Sequence, residues 1–321
     1  MAFTWLVDTA KTLPGLRASW QKSTEVAIRH PGNRCLDRPQ PAEPQAIRDV
    51  DYAWLAEVAY SATYYARSVR SQTGRPPSTL ASTILAQSGW TKWTDFPDRD
   101  LLYRIEDSHL RVEVWEHATA TTSTVVVAFG GTVAKVWADW EANLRWFIPF
   151  HHDEYTELVR DLAPAFVNAY KKRFMDPQSR INRDTALHAT GHSLGGGLAQ
   201  QFAYALPVDP LVPRVSRVLA FDSSPVTGFF SVAAKLRDYN IQGLDIDRIY
   251  ARGEVLAILR SLLSVFVPPS RSDPAIRGIR YQLTRTLDPI SDHAMLRLAK
   301  HIQTESGRTP LRYETLDARV A

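Results

Sequence analysis

Residues 191–197 read Gly-His-Ser-Leu-Gly-Gly-Gly. They contain the pattern G-x-S-x-G between a stretch that reads as strand (185–190) and one that reads as helix (194–206). A serine at a sharp strand-to-helix turn is pushed out of the sheet edge as an exposed nucleophile. The flanking glycines, here Gly191 and Gly195, are needed because a Cβ there would strike neighbouring backbone. His192 is the variable residue inside the motif. The start of the following helix favours developing negative charge, and the Leu194 N–H is placed to donate to an oxyanion.

A serine hydroxyl is a weak nucleophile until a base takes its proton and a third group orients that base. Two histidines follow Ser193, His293 and His301. His293 falls in a segment entering a helix after the last strand and is the expected base. His301 falls inside that helix and reads as a solvated surface residue. The acid should follow one of the two strands after the nucleophile helix. Glu254 comes just after the second and is favoured; Asp222 ends the first and stays open as the alternative. A second oxyanion donor is expected from the loop after an early strand, where Phe129-Gly130-Gly131-Thr132 follows an apolar β-branched run. Its glycines allow close backbone approach, and Thr132 offers an N–H and a hydroxyl.

The elements around these residues alternate. Strands are expected at 109–116, 122–129, 185–190, 215–221, 248–251 and 278–283, and helices at 51–70, 154–172, 194–206 and 291–302. Strands alternating with helices predict a mostly parallel central sheet flanked by helices, an α/β architecture. Residues 1–30 read as one or two short helices. The stretch from His30 to Gln45 carries Pro31, Pro39, Pro41 and Pro44 and reads as a linker. The expected division is therefore a helical extension and linker over 1–45 and one catalytic domain over 46–321.

Composition bounds the partners. The 321 residues are 45% hydrophobic and 22% charged, ordinary for a globular chain. A net charge of +4 carries no nucleic-acid signature and is compatible with contact at an anionic surface. The single cysteine, Cys35, excludes an intrachain disulfide and a cysteine-based zinc site. His151-His152-Asp153 and the pair His188/His192 lack the spacing of metal ligands, so neither a metal nor a cofactor is expected. The first residues lack the basic and apolar regions of a cleavable signal, and no stretch of about 18 apolar residues occurs. A cytoplasmic protein is the default expectation, with export independent of a cleavable signal left open.

On these motifs the sequence resembles the class 3 (fungal-type) lipases of the α/β-hydrolase fold, in a bacterial phospholipase-like form. Residues 191–199 are similar to that family's serine motif, and Phe129–Thr132 to its oxyanion motif with Gly130 where arginine is usual. Asp222-Ser-Ser-Pro225 is similar to its strand-end G-S-P with aspartate for glycine. Residues 250–255 resemble its acid segment with Glu254 for aspartate, and 292–295 its histidine segment. The resemblance implies that Asp139 holds the Thr132 hydroxyl. It also implies a lid or acyl-chain wall in the aromatic stretch containing Trp146, Phe147, Ile148 and Phe150. Phe229 and Phe230 are further candidates for the cleft rim. The implied activity is hydrolysis of lipid carboxylic esters, as a lipase or phospholipase A, through an acyl-enzyme. The alternatives are a small-ester esterase, thioesterase or acyltransferase, or a catalytically silent binding protein on the same fold. If the chain is a toxin delivered into rival cells, analogy implies an immunity partner.

Overall fold

The structure is a computed structural model that describes residues 24–70, 79–105, 110–130, 157–225, 227–251, 272–282 and 295–308. In chain order the elements are β1 (Glu25–Arg29), β2 (Gln40–Pro41), α1 (Glu43–Arg70), α2 (Thr79–Gln87), β3 (Trp90–Lys92), α3 (Arg99–Arg104), β4 (Val112–Ala118) and β5 (Ser123–Phe129). A π-turn at Leu158–Leu162 leads into α4 (Ala163–Met175), then β6 (Ala186–His192), α5 (Leu194–Ala205) and β7 (Val215–Phe221). A 3-10 turn at Phe229–Ser231 precedes α6 (Ala234–Asn240), β8 (Asp245–Ala251), β9 (Ala275–Tyr281) and α7 (Met295–Glu305).

The nine strands form one sheet in the order β2-β1-β9-β8-β7-β6-β5-β4-β3. β5 to β9 run parallel, and antiparallel strands flank them on both sides. This is the expected mostly parallel central sheet flanked by helices, with its parallel part at the centre. Both faces are covered, which is why β5 ends in the unbroken apolar run Val125–Phe129. In β5, Val125, Val127 and Phe129 face the α4/α5 layer, while Val126 and Ala128 face the α1/α7 layer. No helix among the described residues is long and apolar enough to cross a membrane.

The N-terminal expectation needs correction. Residues 25–29 are a strand, not part of a helical extension. Their Val-Ala-Ile centre is buried against β9, with Val26 opposite Tyr281 and Arg29 opposite Gly278. The proline-rich stretch is tied to the same sheet. Pro41 lies in the two-residue edge strand β2, where a missing N–H is tolerated. Pro44 occupies the first turn of α1, where the N–H would have no helical acceptor. The 45/46 boundary therefore cuts through α1, and Cys35 sits exposed between β1 and β2.

α1 is the long brace of one face. Tyr52 Oη lies 2.7 Å from His188 Nδ1, and the Tyr60 ring stands edge-on to His192 at 4.9 Å. Eight helical residues rise about 12 Å and four strand residues about 13 Å, so α1 runs along β6 and touches it at both ends. His188 and His192 thus share one sheet face, and the strand rise holds them too far apart to share an ion.

Beneath α1, the third residues of four adjacent strands are His188, Arg217, Asp247 and Arg277. Asp247 is fully buried and takes guanidinium bonds from both neighbours: Arg217 Nη2 at 2.6 Å, and Arg277 Nε at 2.6 Å and Nη2 at 2.7 Å. Beside it, Asp49 of α1 accepts from Tyr281 Oη at 2.9 Å and Gln45 Nε2 at 2.8 Å. Burial, then the Asp247 charge, pushes the Asp49 carboxyl up to about 7. Burial and the Arg217 charge hold His188 down at about 4, so it is neutral.

Candidate active site

The geometry at Ser193 follows from its neighbours. Ser193 has φ 56° and ψ −123°, a conformation nearly reserved for glycine that costs about 1–3 kcal/mol. Backbone bonds on both sides hold it there. Its N–H donates to Phe221 O at 3.0 Å, and its carbonyl accepts from Ser224 N at 3.0 Å and Gly196 N at 3.1 Å. The residue lies at the C-terminal edge of the parallel strands and at the start of α5, whose first residue is Leu194.

Both motif glycines are dictated by space. A Cβ on Gly191 would lie 2.3 Å from Gly195 O, and one on Gly195 would lie 2.4 Å from Phe129 O. No side chain fits at either place. The second contact also shows that the first turn of α5 sits directly on the end of β5, the strand that leads to Gly131 and Thr132. Gly196 is equally tight, its would-be Cβ 2.8 Å from Ser223 Cβ. Ser223 Oγ in turn accepts from Gln200 Nε2 at 3.2 Å, and Gln200 Oε1 accepts from Arg248 Nη2 at 2.9 Å. The α5 helix is thereby bonded both to the segment that follows β7 and to β8. His192 is fully buried and backs the elbow from the α1 side.

Asp222 follows β7 at φ 38° and is fully buried. Its N–H donates to Ile249 O at 2.8 Å, and its Oδ1 accepts from Ala251 N at 3.2 Å. Ser193 and Asp222 are the two non-glycine residues with positive φ among the described residues. They stand at the ends of adjacent strands, joined through Phe221 and Ser224.

Several expected site residues lie outside the described residues: Gly131, Thr132, Asp139, Trp146, Phe147, Ile148, Phe150, Glu254 and His293. Phe229 and Phe230 are described, and they do not rim the elbow. Phe229 packs edge-on against Tyr204 at 5.3 Å, in the last turn of α5, about 15 Å of helix rise from Leu194. Arg237 lies over the Phe229 ring at 4.3 Å, and Phe230 is 92% exposed. Their apolar character suggested the cleft rim, but Phe229 packs at the end of α5 far from Leu194. His301 is likewise not a solvated residue. It stands edge-on to Tyr281 at 6.1 Å, and burial followed by the Arg297 charge holds it down at about 4.

Sequence reading missed α1's role as the support of β6. The signal available was the pairing of Tyr52 and Tyr60, eight apart, with His188 and His192, four apart.

The comparisons with known proteins bear on this elbow. No curated protein matches the sequence. A fungal lipase–inhibitor complex is similar over 70% of this chain and 73% of its own, at 16% identity and a TM-score of 0.37. Lipase II from Rhizopus niveus is similar over 78% of this chain and 93% of its own, at 15% identity and a TM-score of 0.40. The matching family model spans residues 52–208, from within α1 to just past α5, and so takes in the brace, β3 to β6 and the serine turn. The family whose model matches there is described as a Tle-like phospholipase domain, and it is similar to residues 52–208 of this chain.

Proposed function

We propose that the protein is a serine hydrolase of lipid carboxylic esters, a phospholipase A or lipase with Ser193 as nucleophile. The observation that carries this reading is the strained, glycine-walled turn at Ser193, inside the segment that the phospholipase-like family model matches. Strain of this kind is kept where a side chain must be presented. Ser193 Oγ attacks the ester carbonyl while His293 takes its proton. Glu254 orients His293 and stabilises the imidazolium. The oxyanion of the tetrahedral intermediate is held by Leu194 N–H and by Thr132. His293 then protonates the leaving alcohol, and water releases the acyl group from Ser193. The apolar segment containing Trp146, Phe147, Ile148 and Phe150 supplies the acyl-chain wall, and the transient partner is a membrane surface.

The test is Ser193→Ala against the unchanged chain, on mixed phospholipid vesicles with products read by mass spectrometry. The expected result is free fatty acid and lysophospholipid from the unchanged chain and neither from the variant. The same serine should react with a fluorophosphonate probe. Undiminished lipid cleavage by Ser193→Ala overturns the reading. Cleavage of soluble short esters with no lipid product moves the assignment to a small-ester esterase.

A further inference from the structure

We infer that Asp222 is a positioning residue that fixes the point where the chain leaves β8 toward the catalytic acid. The inference rests on the serine-hydrolase reading above.

In a parallel ladder, a residue whose N–H donates to residue j of its neighbour accepts, at its own carbonyl, from the N–H of residue j+2. Asp222 N–H donates to Ile249 O, so its carbonyl is the regular acceptor for Ala251 N–H. At φ 38° the main chain has already turned away from that register. The side-chain Oδ1 takes the bond instead, at 3.2 Å. Aspartate and asparagine suit such a place, being short, tolerant of positive φ and able to mimic a backbone carbonyl.

The turn this permits serves the nucleophile. Two residues on, Ser224 N–H reaches Ser193 O, and Ser223 seats against Gly196 and Gln200. The main chain of 221–224 thus locks the serine elbow, while the Asp222 side chain completes β8. Ala251 is the last residue of β8, and Glu254 stands three residues further along the chain. Among the described residues, the Asp222–Ala251 bond is therefore the last that ties β8 to the end of β7 ahead of the acid segment. A glycine at 222 would make the turn without strain but would leave Ala251 N–H without this acceptor.

The experiment compares Asp222→Gly and Asp222→Asn on p-nitrophenyl butyrate, with melting curves confirming that each variant is folded. Asp222→Gly relieves the positive φ, so folding is protected while the bond is lost. Its kcat should fall about 30- to 100-fold with KM changed less than about threefold, the cost of a small misplacement of catalytic groups. Its acid limb in the kcat/KM profile should move to lower pH, because an imidazolium that loses its carboxylate is a stronger acid. Asp222→Asn keeps the Oδ1 acceptor and should restore the rate to within about fivefold and return the limb to its place. Full kcat in Asp222→Gly overturns the inference. So does a rate in Asp222→Asn as low as in Asp222→Gly, which would assign the carboxylate itself to direct contact with the base. Ser193→Ala is assayed alongside: wild-type turnover in that variant sinks the underlying serine reading, whatever position 222 does.

Discussion

Glu57→Gln should stabilise the protein against unfolding, and by an amount that grows with pH. Glu57 lies on α1 where that helix meets α7, and it is 4% exposed. Its Oε2 has no hydrogen-bond partner among the described residues. Burial pushes its carboxyl from 4.5 up to about 8, and the nearby Lys300 of α7 only partly opposes the rise. The folded chain therefore holds the proton more tightly than the unfolded one. Stability from this group is complete below about pH 4.5, falls as pH rises through the interval, and levels off above about 8. Linkage between those two values amounts to about 4 kcal/mol between pH 5 and 9, with most of it lost by pH 8. Glutamine keeps the shape of the protonated acid without the titration. Urea unfolding followed by tryptophan fluorescence at pH 5, 7 and 9 provides the measurement. The variant should nearly match the unchanged chain at pH 5 and exceed it by several kcal/mol at pH 9. Asp49 titrates in the same direction, but it is common to both proteins and cancels. A stability difference that stays constant within about 1 kcal/mol across the range would refute the reasoning.

Further expectations follow from the packing. Gly195→Ala places a Cβ against Phe129 O, so it should cost about 3 kcal/mol in melting experiments and abolish fluorophosphonate labelling. Asp247→Ala leaves Arg217 and Arg277 without their shared carboxylate, and should lower stability by about 3–5 kcal/mol in urea, with labelling per folded molecule retained. Tyr52→Phe removes the bond to His188 and should cost about 1–2 kcal/mol. Because His188 stays neutral above about 4, that loss should be the same at pH 6 and pH 8; a pH-dependent loss would show that the ring is charged.

The parallel centre of the fold was legible because its strands are covered on both faces. The second half of Val215–Phe221, from Val218 on, is then apolar without interruption, and the observed strand has the expected bounds. The serine turn was legible for a related reason: glycine is required at 191 and 195 by contacts under 2.5 Å, so the motif is a record of space. The edge strands were not. β1 has a three-residue buried centre between charged ends and gains its order from β9, far away in sequence, so no local period announces it. Pro41 and Pro44 misled because an edge strand and a first helical turn admit proline as readily as a linker does. Phe229 and Phe230 misled because apolar character alone says nothing of where a loop turns next. Asp222 was visible as a carboxylate at a strand end, but its stand-in for a backbone carbonyl depends on a dihedral angle that composition does not encode.

The pairing of β1 with β9 sets an order on the assembly of the molecule. Val26 meets Tyr281, so the two partners are separated by most of the chain. At about 5–20 residues per second on a ribosome, β1 emerges roughly 10–50 s before the strand it must join. Throughout that interval its Val-Ala-Ile segment has no sheet to enter, and β8 stands as an open edge until β9 arrives. The last stages of synthesis therefore close the sheet. A chain interrupted before residue 275 would carry the serine turn but not the edge that shields it from pairing with other chains.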